Sequence, residues 1–274
     1  AIDGAGRVTM ATFAGLLRDD GSGCNWRSEE AFVDKWVTDV VAHPTDPDVM
    51  FAATSTGGSD IASSVHRRDA GGTWRVVATH PEILIGRLMV VESGAGKLRI
   101  YERAVHGMFG EAPDLRPRYV FRVSDDMGGS WEEFEFGDTR GTLEIEAIDP
   151  VNADRIVASL RAEEIEGGAK TVPDRVLVSD DRGASFRDYL EVTRFGGVDF
   201  APDGRVWIGD RGDTFGTSAP AGLYFAASIA EAPVKLDAAL HVRCVEYRLA
   251  TDDLFVCQPF EAGVVGADGK GYAK

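Results

Sequence analysis

The sequence predicts an all-β chain made of about six copies of a four-stranded antiparallel unit. Three observations predict it. An octet of the form x-x-Asp-x-Gly-x-Ser/Thr-aromatic recurs, with Asp69, Asp126 and Asp181 spaced 57 and 55 residues apart. Apolar or alternating runs of four to seven residues fill the intervals, separated by Gly, Asp, Asn and Pro. No segment carries the 3.6-residue periodicity of a long amphipathic helix.

The units follow in order, over approximately 1–30, 31–80, 81–137, 138–191, 192–240 and 241–274, within a single domain. The first is clipped: Arg7–Phe13 and Gly15–Arg18 read as strands, followed by a partial octet from Asp19 to Trp26 with Gly21 at the Asp position. The second uses Thr38–Ala42, Val49–Thr54, Ser63–Arg68 and Trp74–Ala78. The third uses Arg87–Val91, Leu98–Arg103, Tyr119–Ser124 and Trp131–Phe136. The fourth uses Leu143–Ala147, Arg155–Leu160, Arg175–Ser179 and Phe186–Leu190. Two further units lack the octet: Gly197–Phe200, Val206–Gly209, Gly222–Ala226 and Val234–Leu236, then Val242–Arg248, Leu254–Pro259 and Gly263–Gly266.

The octet has the physics of a tight turn between strands. An Asp carboxylate accepts amides inside its own turn. The Gly supplies a backbone conformation that other residues avoid. The Ser or Thr hydroxyl closes the network, and the aromatic returns the chain to the core. Asp69, Gly71 and Trp74, then Asp126, Gly128 and Trp131, then Asp181, Gly183 and Phe186 are therefore structural residues.

These octets resemble the Asp-box, or BNR repeat, of β-propellers of the sialidase-like, xyloglucan-hydrolase-like and sortilin-like group. The resemblance extends upstream, where Ala42–Thr54 and Ala147–Ser159 resemble the lead-in of such blades, and covers roughly Thr38 to Leu190. It implies a β-propeller of four-stranded antiparallel blades. It implies either that the tail of the last unit completes the clipped first one, or that the chain is incomplete or part of a larger propeller. Unpaired edge strands in an incomplete ring would favour self-association.

Composition removes whole classes. The 274 residues carry 45 acidic and 29 basic side chains, a net charge of −16. Phosphate contact needs a basic patch, so no nucleic-acid partner is expected. No run of about 18 apolar residues offers a membrane span. Fourteen Phe, six Tyr and five Trp exclude a disordered chain. Among the three cysteines, Cys244 and Cys257 fall on adjacent strands. They either form a disulfide or remain, with Cys24, small apolar thiols. No metal or cofactor is expected, weak calcium binding by the acidic surface apart.

In such a blade the octets mark one face, and the insertions after strand two mark the other. Loops this long on a rigid scaffold are the usual place for recognition. The insertions run roughly from Ala104 to Arg118, Ala162 to Asp174 and Asp210 to Ala221. With the links between units they place Arg87, His106, Phe109, Arg116, Arg140, Glu164, Arg194, Asp210 and Arg211 on that face. Such residues either bind an anionic, glycan or protein ligand or are solvated loop charges.

A sialidase needs an arginine triad, a Tyr nucleophile with its Glu, and an acidic Asp; the Arg-Ile-Pro motif of that family is absent. Xyloglucan hydrolases pair two propellers, and this length holds one. No catalytic residue is assigned. The expected function is a non-catalytic binding or assembly module outside the cytoplasm of a bacterium: secreted, periplasmic or at the cell surface. The alternative is a glycoside hydrolase, xyloglucanase-like or sialidase-like.

Overall fold

The computed structural model describes residues 1–3, 5–56, 62–94, 97–109, 116–137, 141–162, 172–212, 221–237, 240–248, 251–259, 261–266 and 272–273. They fall into two compact units, Ala1–Thr139 and Arg140–Lys274. Each unit holds three antiparallel sheets, and one 3-10 turn at Glu30–Phe32 is the helical element among the described residues.

In the first unit β1 (Thr9–Thr12), β2 (Gly15–Asp19) and β3 (Trp26–Ser28) make one sheet. Ile2 bridges to Val8, and Ala1 exchanges backbone hydrogen bonds with Thr9, so residues 1–3 act as a rudimentary innermost strand. The partial octet therefore follows strand three, as the others do. The second sheet is β4 (Trp36–Ala42), β5 (Met50–Ser55), β6 (Ala62–Arg68) and β7 (Trp74–Pro81). The third is β8 (Leu84–Glu92), β9 (Leu98–Phe109), β10 (Arg116–Ser124) and β11 (Glu132–Glu135).

The second unit repeats the plan. Its sheets are β12 (Thr142–Ile148), β13 (Ile156–Arg161), β14 (Asp174–Ser179) and β15 (Arg187–Val192), then β16 (Phe195–Phe200), β17 (Val206–Asp210), β18 (Gly222–Ala226) and β19 (Val234–Asp237). The last is β20 (Cys244–Arg248), β21 (Asp253–Cys257) and β22 (Ala262–Gly266), with Ala273 bridging to Val264 as the trace of a fourth strand. Cys244 lies opposite Cys257 in the register, and a disulfide joins them. Cys24 is a free, exposed cysteine.

One expectation is corrected here. Ala104 to Arg118 is not an open loop: β9 continues to Phe109 and β10 begins at Arg116, and the two pair across the hairpin with one register shift between Pro117 and Tyr119. The strands extend past Arg103 because a hairpin tolerates polar residues as long as its backbone is paired.

The second strands β5, β13 and β17 are buried on both sides, which explains their mostly apolar sequences. Every residue of β5 and β17 is buried, as is β13 up to Leu160. The core lies between neighbouring sheets: Phe51, Val65, Ile85, Leu88 and Ile100 in the first unit, and Trp207, Leu223, Val242, Leu254 and Val256 in the second. The innermost strands of neighbouring sheets lie side by side, β4 against β8 and β16 against β20. Each complete sheet carries a register shift on its inner strand, near Thr38, Gly86, Glu146 and Gly196. A Cβ on Gly196 would stand 1.8 Å from the Val242 carbonyl oxygen, so the backbone of the next link occupies that space.

An aspartate on the inner strand joins each inner pair. Asp39 accepts the amides of Val40 and Leu88, both at 2.9 Å. Asp199 accepts those of Phe200 at 2.8 Å and Tyr247 at 2.7 Å. Burial raises both carboxyls above the ordinary range, opposed by those amides.

The octets fold as local turns. Asp126 accepts the Ser130 amide and hydroxyl, both at 2.7 Å, and the Ser124 hydroxyl at 2.8 Å. Ser124 in turn accepts the Gly128 amide at 2.7 Å. Met127 and Gly128 both have positive φ, 62° and 92°. Ser179, Asp181, Gly183 and Ser185 repeat each bond, with Arg182 at φ 65°. Trp131 and Phe186 stand just before their strands, whereas Trp74 opens β7. In the partial octet the Asp19 carboxylate replaces the serine and accepts the Gly23 amide at 2.9 Å.

Two outcomes are expected. Asp39→Ala and Asp199→Ala each strand two amides, and thermal melts should show losses of about 1–2 kcal/mol. The second concerns acid. The Ser130 amide and hydroxyl and the Ser124 hydroxyl hold Asp126 down to about 2. In Asp181 the Ser185 and Ser179 groups outweigh burial and lower the carboxyl likewise. Lowered carboxylates stabilise the fold above their unfolded pKa, here 3.8, and lose that contribution as pH falls toward about 2. Melting temperature should therefore drop over that window, and Ser130→Ala with Ser185→Ala should flatten the drop. An unchanged slope by circular dichroism would refute the assignment.

Candidate functional site

Octets occupy one end of the strands in each unit. The opposite end carries the connections after second strands and the links between sheets. In the first unit Arg87 lies on β8, half-exposed, with its Nε 3.7 Å from Asp39 Oδ2. His106 lies on β9, partly buried, and its Nδ1 is buried without a hydrogen-bond partner among the described residues. Arg116 opens β10 opposite Phe109, whose side chain lies outside the described residues. Arg140 and Glu164 also lie outside them.

The second unit brings Arg194, Asp210 and Arg211 together. Asp210 closes β17, where its buried carboxylate accepts the amides of Thr193 at 3.0 Å, Arg194 at 3.2 Å and Gly212 at 2.8 Å. The Arg211 amide donates to the Arg194 carbonyl at 3.0 Å, so the link before β16 and the connection after β17 run side by side. Gly212 has φ 60°, and a Cβ there would meet Ala221 at 2.8 Å. His241 Nδ1 lies 3.0 Å from the Arg211 carbonyl oxygen and donates to it.

Three further charged residues belong to this end. Asp174, buried at the start of β14, accepts the Ala162 and Phe195 amides, both at 2.8 Å. Arg161 closes β13, pairs with Glu146 at 2.7 Å and lies over the Phe195 ring, 5.5 Å from its centroid. Arg243 precedes β20. Burial lowers Arg211 below the usual arginine range; Arg194, Arg161 and Arg243 push the same way, and Asp174 opposes them. The Arg211 Nε is buried without a hydrogen-bond partner among the described residues. Arg161 and Asp174 had one sequence signal: each ends or begins a strand at the same end as Arg194 and Asp210.

Chemically, this is a set of donors. The carboxylates of Asp174 and Asp210 are engaged by backbone amides, so they fix the links between strands. The guanidinium groups of Arg194 and Arg211 form paired, fork-shaped hydrogen bonds to oxyanions when such a group is present. Among the described residues no group of three or more His, Cys, Asp or Glu is placed to hold a metal ion.

No family model matches the chain, and no curated protein matches it. Solved structures do. The chain is similar to the GH74 xyloglucanase of Xanthomonas campestris, with a TM-score of 0.53 and 15% identity over 93% of this chain and 41% of that one. It spans about two fifths of that enzyme's length. It is also similar to the α-L-arabinofuranosidase Arb93A of Fusarium graminearum, with a TM-score of 0.53 and 11% identity over 97% of this chain and 91% of the other. The apocarotenoid oxygenase of Synechocystis gives a TM-score of 0.57 and 10% identity over 96% and 65% of the two chains. At such identities the likeness shows the fold alone. The chain has the all-β architecture of a β-propeller, built from three- and four-stranded antiparallel sheets.

If the Asp210 carboxylate organises this end, Asp210→Ala leaves three amides without their acceptor. A loss of about 3 kcal/mol is expected from thermal or urea unfolding, with partial recovery in Asp210→Asn.

Proposed function

We propose that this chain is an Asp-box (BNR-repeat) propeller that acts on a glycan outside the cytoplasm, as a glycoside hydrolase. We assign the link end of its second unit as the surface that meets the glycan. One observation carries the placement: Arg161, Arg194, Arg211 and Arg243 gather around two carboxylates already engaged by amides, in a chain of net charge −16. A cationic surface on so acidic a chain suits a saccharide that bears carboxylates or presents many hydroxyl acceptors. The octet geometry supports the Asp-box reading. The likeness to a xyloglucanase and an α-L-arabinofuranosidase supports hydrolysis. The Cys244–Cys257 disulfide suits an oxidising compartment.

A second reading is a non-catalytic glycan-binding or assembly module. The engagement of Asp174 and Asp210 by amides favours it, since neither carboxylate is free to act as acid or nucleophile.

The test is a panel of xyloglucan oligosaccharides, aryl α-L-arabinofuranosides and aryl sialosides, with a glycan array beside it. Turnover that falls about tenfold or more in Arg194→Ala and Arg211→Ala is the expected result. Binding without turnover selects the second reading. Neither binding nor turnover by a folded protein rejects both.

A further inference from the structure

The three full octets serve as internal references for one another, and one of them breaks the pattern. Ser124 and Ser179 hold the first position in two octets, where each hydroxyl accepts a glycine amide at 2.7 Å and donates to the Asp. In the octet between β6 and β7 that position is Arg67. A guanidinium has no acceptor atom, so it cannot make the serine's bond. Asp69 pairs instead with Arg67 at 2.6 Å and Arg75 at 3.5 Å. A local rule broken inside a repeat marks a place where something other than the turn is served.

Arg67 points across to the next sheet. Its guanidinium lies over the Phe51 ring, and Nη1 comes within 3.9 Å of the Met127 sulfur in the neighbouring octet. Its Nε is buried without a hydrogen-bond partner among the described residues. Together with His43, Lys97, Leu98, Asp125 and Met127 it lines a cleft of about 400 Å³ between the sheet of β4–β7 and the sheet of β8–β11. His43 Nδ1 accepts the Thr45 and Asp46 amides, each at 3.2 Å, which leaves the proton on Nε2 as a donor. Asp125 is held by Arg99 at 2.5 Å. The cleft thus combines guanidinium, ammonium and imidazole donors with an apolar wall from Leu98 and Met127.

We infer that this cleft is a binding site for a small carboxylated sugar, a uronate-type ligand whose carboxylate meets Arg67 and Lys97 and whose ring lies on Leu98 and Met127. The volume accommodates one such ring. The charged donors select the carboxylate, and the apolar wall distinguishes a ring from a bare inorganic anion. The site lies at the octet end of the first unit and is independent of the link end of the second.

Titration calorimetry with glucuronate, against glucose and inorganic sulfate, tests it. The parent protein should bind glucuronate, and bind glucose and sulfate at least about tenfold more weakly. Arg67→Ser installs the residue that the other octets carry, so it should fold with an equal or higher melting temperature while losing about tenfold or more in affinity. Lys97→Ala should lose affinity on an exposed turn, whereas Arg75→Ala should keep it. Glucuronate binding unaltered in Arg67→Ser, or no binding by the parent, overturns the inference. So does sulfate binding as tightly as glucuronate. Activity on the glycan panel should be retained in Arg67→Ser, which separates this site from the link end.

Discussion

A backbone amide that leaves one sheet for the next needs an acceptor, and in this chain an aspartate repeatedly supplies it. Asp39 and Asp199 join inner strands, Asp174 and Asp210 fix the links between sheets, and Asp126 and Asp181 close the octets. Each sheet is too small to bury its own faces, so the core exists only where neighbouring sheets stack. Stacking brings the inner strands side by side and forces their turns and links into partly buried positions. An unsatisfied amide there costs more than a typical hydrogen bond contributes. Part of the excess of acidic residues is the consequence.

That use of carboxylates bears on function. A carboxylate with its oxygens occupied by amides is fixed in place, which suits architecture better than proton transfer. The two ends of the strands therefore differ in what they offer. At the octet end acceptors are consumed within each turn, except where Arg67 replaces a serine. At the link end of the second unit, guanidinium groups collect around carboxylates that already hold the backbone.

The fold leaves chemistry open. A xyloglucanase, an arabinofuranosidase and an oxygenase share this architecture at 10–15% identity, so the scaffold is compatible with quite different sites. What differs among such proteins must lie in side chains at the strand ends. The repeat helps here because it provides several versions of the same turn within one chain. Ser124, Ser179, Asp19 and Arg67 occupy one structural position, and the first three satisfy the same amide with different acceptors.

The sequence by itself determined the strands, their order and the octet turns, because each of these depends on residues close together in the chain. The mostly apolar runs of β5 and β17, the Asp-to-Ser spacing of the octets and the facing positions of Cys244 and Cys257 are all local patterns. The link end was legible as a region, and Arg194, Asp210 and Arg211 could be named from it. Only the tertiary structure decided that Asp174 caps Phe195, that Asp39 reaches Leu88, and that β9 and β10 continue as a paired hairpin through a polar stretch. Those contacts join residues 7 to 49 positions apart through backbone amides, and any residue type supplies an amide, so no pattern of side chains announces them.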